Sequence, residues 1–566
     1  MERQNNQLAT KQPAKKKIGF FSSMMIVMGS SIGAGIFFKS EEVLNNSRGN
    51  LILAIFCWIM ASIAVISMAI ALVEIAGNKK DNLSLVSWNR LFNSRWIAQA
   101  SKNFMAYITL PLTFFYMPIY VVMTLQDGIG AIANKNASAF NFGTSYDWVI
   151  WLAITTLMGL YFLTIPSLFS KIGNIHNVIV LSVKFIPLIF IMIIGIVLAI
   201  SGKGGADNIK ITSFEKFDDI KIGAGLIRYN HLGGFIGIFI SIGSIFFAYD
   251  GFYIAAGMQT EMKKPEKTSW ALSLGLIIIT IFYILIAISM SINGGSFSSM
   301  LQYIQSLLGQ KVGRIIFGLI NIAIAIGVMG VINGFSMWMP RYIESLLAEG
   351  ELPFWEKFIS KLNPNRPTVG VIYSVIIGLG SNIIFTIIGA TLYISTNNDY
   401  LKYTDGMARL YSFTDLIANW VTVFTFVFIA FAILGAIKNR KNQKIKIKQK
   451  VKFFSLFAYI TVFFVSLSML ALILIPIIDL FMTIGFDHNS YMHWKNATYS
   501  QAHQFFIGLV VGRTMLVVML IIFHVIVFAS DPIQNCFHKQ KYGSIEKFHQ
   551  HRNLILQKYP SPYTQT

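Results

Sequence analysis

Two short stretches and one lysine hold the groups best suited to chemistry. Gly29-Ser30-Ser31-Ile32-Gly33-Ala34-Gly35-Ile36-Phe37 packs three glycines and two serines into seven residues of an otherwise apolar segment. Glycine loosens a helix and lets a ligand approach the backbone closely. An unwound turn here would expose N–H groups at the start of a half-helix, and these, with the half-helix dipole, suit a carboxylate. The second stretch, Ser244-Ile245-Phe246-Phe247-Ala248-Tyr249-Asp250-Gly251-Phe252, sets an acid beside a glycine inside another apolar block. An acid at such a depth costs about 2.5–3.5 kcal/mol on insertion scales, so it faces a cavity or finds a partner. Unwound carbonyls there, with Asp250, suit an ammonium. The lysine is Lys184, in Ser182-Val183-Lys184-Phe185-Ile186-Pro187. Burial lowers the proton affinity of an ammonium, so a lysine here can exchange a proton or stand in for a bound cation.

Each stretch also has a plainer reading. Small residues can serve as a packing face for a neighbouring helix. A nucleotide-type glycine loop needs a preceding strand, and none is present. Asp250 can pair with a basic residue or cap a half-helix. Lys184 can snorkel to an interface, although its position within the block argues for a functional role.

The elements that would hold these residues are membrane-spanning helices. The chain has 566 residues, of which 55% are hydrophobic and only 13% charged, and its mean hydropathy is +0.60. A soluble chain carries about twice that charged fraction. The apolar residues fall into blocks long enough to cross about 30 Å of hydrocarbon. The blocks predict twelve spans, at 20–38, 51–77, 103–126, 147–165, 178–200, 233–260, 270–292, 312–340, 369–392, 414–437, 453–482 and 504–529. With the N-terminus inside, lysines and arginines on inward segments outnumber those on outward ones by more than two to one, which predicts both termini on the cytoplasmic side of a plasma membrane. The net charge of +21 therefore points to the membrane surface rather than to nucleic acid. Its densest run, Lys438–Lys452, suits anionic lipid head groups or acts as a topology anchor alone. Cys57 and Cys536 lie in different environments, so no disulfide framework is expected. Nothing calls for a cofactor or a metal, and the composition points to a bacterium.

The two glycine-interrupted stretches lie in the first and sixth spans. A shift of five helices maps one onto the other, the pattern of an inverted five-helix repeat with substrate held between broken helices. The expected division is a basic tail (1–19), a first repeat (20–200), an outer loop (201–232), a second repeat (233–437), a basic loop (438–452), two additional helices (453–529) and a C-terminal tail (530–566).

On these residues the chain resembles the amino acid–polyamine–organocation superfamily of secondary transporters. The resemblance rests on residues 29–37, on Phe246–Phe252 followed by Glu261–Lys267, on Val73-Glu74-Ile75-Ala76-Gly77, on Ser170–Gly173 ahead of Lys184, and more loosely on Asn333-Gly334, Arg341, Gly350 and Pro353. It implies a LeuT-like all-α fold. It also implies that backbone N–H groups of Ser30, Ser31, Ile32, Gly33, Ala34 and Gly35 hold a substrate carboxylate. Carbonyls of Phe246, Phe247, Ala248 and Tyr249, beside Asp250 and Gly251, would take the α-amino group, with Phe247 as an aromatic lid. Lys184 falls on a lysine that bridges the first and eighth helices, which implies proton coupling or sodium-free exchange. After Gly77 the chain departs from the family with Asn78-Lys79-Lys80-Asp81-Asn82. The expected function is amino acid transport by alternating access. An antiporter of the same fold is the main rival. A membrane-embedded enzyme is disfavoured because polar clusters at depth are scarce; Asp479 and His524 read as isolated.

Overall fold

A computed structural model of the chain describes residues 19–32, 35–47, 50–78, 83–133, 139–202, 233–253, 263–264, 267–292, 297–394, 400, 402–448, 450–559 and 563. Gly33, Ala34, most of the 201–232 loop and the segment 254–260 lie outside the described residues, as do Glu261 and Met262.

Among the described residues every extended element is a helix. The first predicted span is two helices, α1 (Phe20–Ser31) and α2 (Gly35–Asn46). α3 (Leu51–Ala76) is the second span, begun by the Asn50 side chain accepting from the Leu53 N–H. A short α4 (Leu85–Phe92) leads to α5 (Arg95–Phe104), a π-helical turn (Met105–Thr109) and α6 (Leu110–Ile132), which together form the third. The π turn, one residue wider than an α turn, has no signature that the hydropathy pattern reports. α7 (Asp147–Leu168) and α8 (Ser170–Ile200) follow, then α9 (Gly233–Ala248) and α10 (Thr268–Ile292). The remainder are α11 (Phe297–Leu308), α12 (Gln310–Ala348), α13 (Trp355–Phe358), α14 (Thr368–Thr391), α15 (Asp405–Asn442), α16 (Phe454–Met482), α17 (His488–Lys495), α18 (Tyr499–Tyr542) and α19 (Ile545–Lys558).

Among the described residues ten helices are long and apolar enough to cross a membrane, the α5–α6 stack counting as one. The other two predicted spans, the first and sixth, are the interrupted ones. The eighth predicted span is one continuous helix, α12, despite its glycines and Pro340. The presumed C-terminal tail is largely helical, because α18 runs on to Tyr542 and α19 follows after Gly543, whose φ of 83° reverses the chain. Asp479 is not isolated: it pairs with Arg513 at 3.0 Å, both nearly inaccessible, and this joins α16 to α18.

The solvent for this fold is lipid, so large apolar side chains point outward. Ile52, Phe56, Ile59 and Ile63 form an exposed stripe on α3, and Ile186, Ile189, Ile193 and Ile196 one on α8, both at helical spacing. The centre is set by enclosure: 94% of the apolar window of α5–α6 and 83% of that of α15 is buried, against half or less for the other eight. α2 and α9 pack on one another, and α9 also packs on α15. The interrupted helices thus border the most enclosed part of the molecule.

Candidate functional site between the interrupted helices

The first break has a definite geometry. α1 ends at Ser31, and Ile32 turns to an extended conformation (φ −74°, ψ 100°) while its N–H still reaches the Met28 carbonyl. α2 starts afresh at Gly35. Ser31 is buried, and among the described residues its hydroxyl has no hydrogen-bond partner. Such a group costs about 1–3 kcal/mol unless something else meets it.

The second break closes more tightly. At the end of α9 the Tyr249 N–H donates to the Phe246 carbonyl (3.1 Å) and the Asp250 N–H to the Phe247 carbonyl (3.2 Å). Gly251 then takes φ 96°, a left-handed value that favours glycine, and its N–H donates to Asp250 Oδ1 at 2.9 Å. Asp250 therefore caps this turn with its own side chain.

The breaks meet directly. A Cβ placed on Gly35 would lie 2.4 Å from Ala248 Cα and 2.9 Å from Ala248 N. Only glycine allows this approach. Tyr283 of α10 bridges the two, its hydroxyl lying 3.2 Å from the Ser31 carbonyl and 2.8 Å from the Ala248 carbonyl. Tyr249 is held elsewhere, its hydroxyl sharing hydrogen bonds with Ser62 of α3 (2.7 Å) and Thr280 of α10 (2.8 Å). The Phe246 ring lies against Phe426 of α15. These two side chains position the break.

Lys184 reaches the first break from α8. Its Nζ donates to the Ile32 carbonyl at 3.2 Å. Ile32, Phe37, Lys184 and Pro187, with Ala323, Ile324, Gly327 and Val328 of α12, line a void of about 10 Å³, roughly the room one water molecule needs. The lysine therefore stands where α1, α8 and α12 converge.

On the other side of Phe247 lies a charged cluster the sequence reading missed. Lys39 of α2, with no accessible surface, pairs with Asp415 of α15 at 2.7 Å and with Glu42 at 2.8 Å. Its ammonium stands 5.4 Å from the centre of the Phe247 ring. Tyr120 of α6 donates to Asp415 at 2.7 Å, and Tyr400 donates to its other oxygen. Ser244 and Asn419 donate to Glu42 at 2.6 and 3.0 Å. One cluster thus joins α2, α6, α9 and α15 directly over the aromatic side chain. Lys39 and Glu42 fell just past the first predicted span and read as loop residues. A signal existed in Asp415, an acid inside the tenth predicted span.

At the opposite ends of these helices, Glu74 at the close of α3 accepts from Arg440 Nε (2.8 Å) and Nη2 (2.5 Å) and from the Val451 N–H (2.8 Å). Arg90 of α4 holds Glu349 and Glu351, both at 2.7 Å, and Lys102 of α5 holds Asp531 of α18 at 2.8 Å.

The family model for amino acid permeases matches residues 18–494. A protein of Mycoplasma pneumoniae is 46% identical over 556 residues, covering 95% of this chain and 97% of its own. The serine/threonine exchanger SteT of Bacillus subtilis is 23% identical over 371 residues, covering 64% of this chain and 76% of its own. Among solved structures, a mutant of the Eremococcus coleocola manganese transporter aligns over 89% of this chain and 95% of its own at 12% identity, with a TM-score of 0.46.

Proposed function

The chain belongs to the amino acid permease family, a family of multi-pass membrane transporters, and on that premise we propose that it moves an amino acid by alternating access with its substrate held between the two helix breaks. The single observation that carries this reading is the direct apposition of Gly35 and Ala248, two helix interruptions five spans apart. The N-terminal end of α2 supplies N–H groups and a dipole for the carboxylate, and the buried, unpartnered Ser31 hydroxyl supports a polar ligand there. The substrate's amino group meets the carbonyls of Phe246, Phe247 and Ala248, and Asp250 lies one turn away. Carbonyl oxygens carry two lone pairs, so the hydrogen bonds already made leave acceptor capacity.

With the N-terminus inside, as the basic residues predict, Lys39, Glu42 and Asp415 close the outer path over Phe247. Substrate entry from outside requires that ion cluster to part and α2 to separate from α9. Lys184 ties the first break to α8 and α12, so a change in its protonation alters the stability of one arrangement against the other, and this is the proposed route for proton coupling. Lys184 also stands where a bound cation would, so sodium is not required.

Amino acid exchange is a second reading, favoured by the similarity to an exchanger. The test is uptake by the purified chain in vesicles, with each of the twenty amino acids competing against a labelled mixture. Competition by a defined subset is the expected result, and no competition by any amino acid refutes the proposal. Efflux from loaded vesicles that accelerates when external amino acid is added identifies exchange.

A further inference from the structure

The connection between α15 and α16 has a two-sided structure that its composition alone does not reveal. Gln443 reverses the chain with φ 49°. After it every second residue from 444 to 452 is a lysine, and Ile445, Ile447 and Val451 are among the residues between them. Lys444, Lys446, Lys448, Lys450 and Lys452 are all exposed, whereas Ile445 and Ile447 are half-buried and Val451 is buried. A period of two puts the lysines on one face and the apolar side chains on the other.

The backbone of this strip is fixed by five hydrogen bonds, at Ile445, Lys448 and Val451. Asn439 exchanges hydrogen bonds with Ile445, through Nδ2 to its carbonyl at 2.9 Å and from its N–H to Oδ1 at 2.8 Å. The Lys448 N–H donates to Asn78 Oδ1 at 3.1 Å. The Val451 N–H donates to Glu74 Oε2, and Arg440 Nη2 donates to the Val451 carbonyl, both at 2.8 Å. Glu74, the acid beside the strip, is already taken by Arg440. Among the described residues, no ion pair takes up any of the five lysines. The flanking apolar helix segments end at Ile437 and resume at Phe453, so the strip lies at the level where hydrocarbon gives way to head groups.

We infer that the exposed row of Lys444, Lys446, Lys448, Lys450 and Lys452 is a preformed binding site for anionic phospholipid head groups of the inner leaflet. A held row of cations concentrates anionic lipid without the ordering cost a flexible basic loop incurs. The site recognises a phosphate monoanion or diester at the membrane surface, and it rests on the inward placement of this connection. Because the same backbone is hydrogen-bonded to α3 through Glu74 and Asn78, an occupied strip also holds the ends of α3 and α15 together.

The test uses the full chain in phosphatidylcholine vesicles carrying graded amounts of phosphatidylglycerol, with spin-labelled phosphatidylglycerol reporting association and thermal denaturation reporting stability. Each surface lysine contributes about fivefold to association with anionic lipid. The wild-type chain should therefore prefer phosphatidylglycerol, lose that preference at high salt, and denature at higher temperature as the anionic fraction rises. Lys444→Gln, Lys446→Gln, Lys448→Gln and Lys450→Gln combined should weaken the preference by roughly several hundredfold, and the four corresponding Arg substitutions should keep it. A wild-type chain with no preference, or a glutamine variant that retains it, overturns the inference, and the wild-type arm stands even if the glutamine variant fails to insert. Soluble glycerol phosphate should compete poorly. Full displacement by it would make this a site for a dissolved phosphate and also overturn the assignment.

Discussion

Replacing Gly35 with alanine is the smallest change that probes the meeting of the two broken helices. The added Cβ would stand 2.4 Å from Ala248 Cα, 2.9 Å from its N and 3.1 Å from its Cβ. Carbon atoms in contact sit about 3.5–4.0 Å apart, so α2 and α9 must separate by roughly 1 Å. The obstacle is backbone, and no side chain can rotate aside. Overpacking of this kind costs about 1–3 kcal/mol, and two of the three close atoms being backbone puts it at the upper end. At about 1.4 kcal/mol per tenfold, the closed arrangement loses roughly 30- to 150-fold in population against one with the helices apart. The variant should insert normally, as judged by its size-exclusion profile in detergent. Its amino acid uptake in vesicles should fall by at least about tenfold, and the thermal stabilisation that substrate gives the wild-type chain should disappear. Gly380→Ala is the control, since a Cβ there meets nothing within 4 Å. Wild-type uptake and wild-type stabilisation in Gly35→Ala would refute the placement of substrate at this contact.

Three further outcomes are expected. Lys184→Ala should leave insertion intact but flatten the dependence of uptake on the proton gradient, and an unchanged pH profile in vesicles removes the coupling role. Lys39→Met leaves Glu42 and Asp415 without their shared cation, and losing one partner of a buried pair costs about 3–5 kcal/mol. In a Cys536→Ser background, where Cys57 is buried, a cysteine at Ser40 should then react faster with an impermeant thiol reagent from outside; an unchanged rate means the ion cluster does not close that path. Glu356 lies between membrane segments, on α13. Partial burial pushes its carboxyl up, but the Tyr542 hydroxyl, Lys541 and His551 outweigh this and hold it below the usual range. A depressed carboxylate contributes stability above its unfolded value, near 4.5, and loses it as pH falls through the lower folded value. Protection of α19 in hydrogen exchange should therefore drop only under acid conditions below that range, whereas loss between pH 6 and 7 would contradict the assignment.

The interruptions were legible because glycine, serine and a buried acid inside an apolar block violate the pattern a spanning helix must follow. Gly29–Gly35 and Tyr249-Asp250-Gly251 therefore marked their own positions, and the shift of five helices that maps one onto the other followed from hydropathy. The eighth span also holds Gly327, Gly330 and Gly334, and they lie within an unbroken helix, α12. Glycine permits a break without imposing one, and in α12 Gly330 instead admits a neighbour: a Cβ there would strike Val180 of α8 at 2.2 Å. Asp479 and Arg513 read as unrelated because 34 positions separate them and hydropathy carries no information about which helix faces which.

The sequence by itself determined that this chain crosses a membrane many times, where its backbone departs from regular helix, and which residues sit at those departures. These are local properties, fixed by the length of apolar runs and by residues that a helix in hydrocarbon tolerates poorly. Only the tertiary structure decided which groups meet. Lys39 finds Asp415 across 376 positions, Tyr283 spans both breaks, Asp250 turns back on its own backbone, and Gly35 touches Ala248. Those pairings depend on the rotation and depth of each helix within the bundle, and packing between helices sets both.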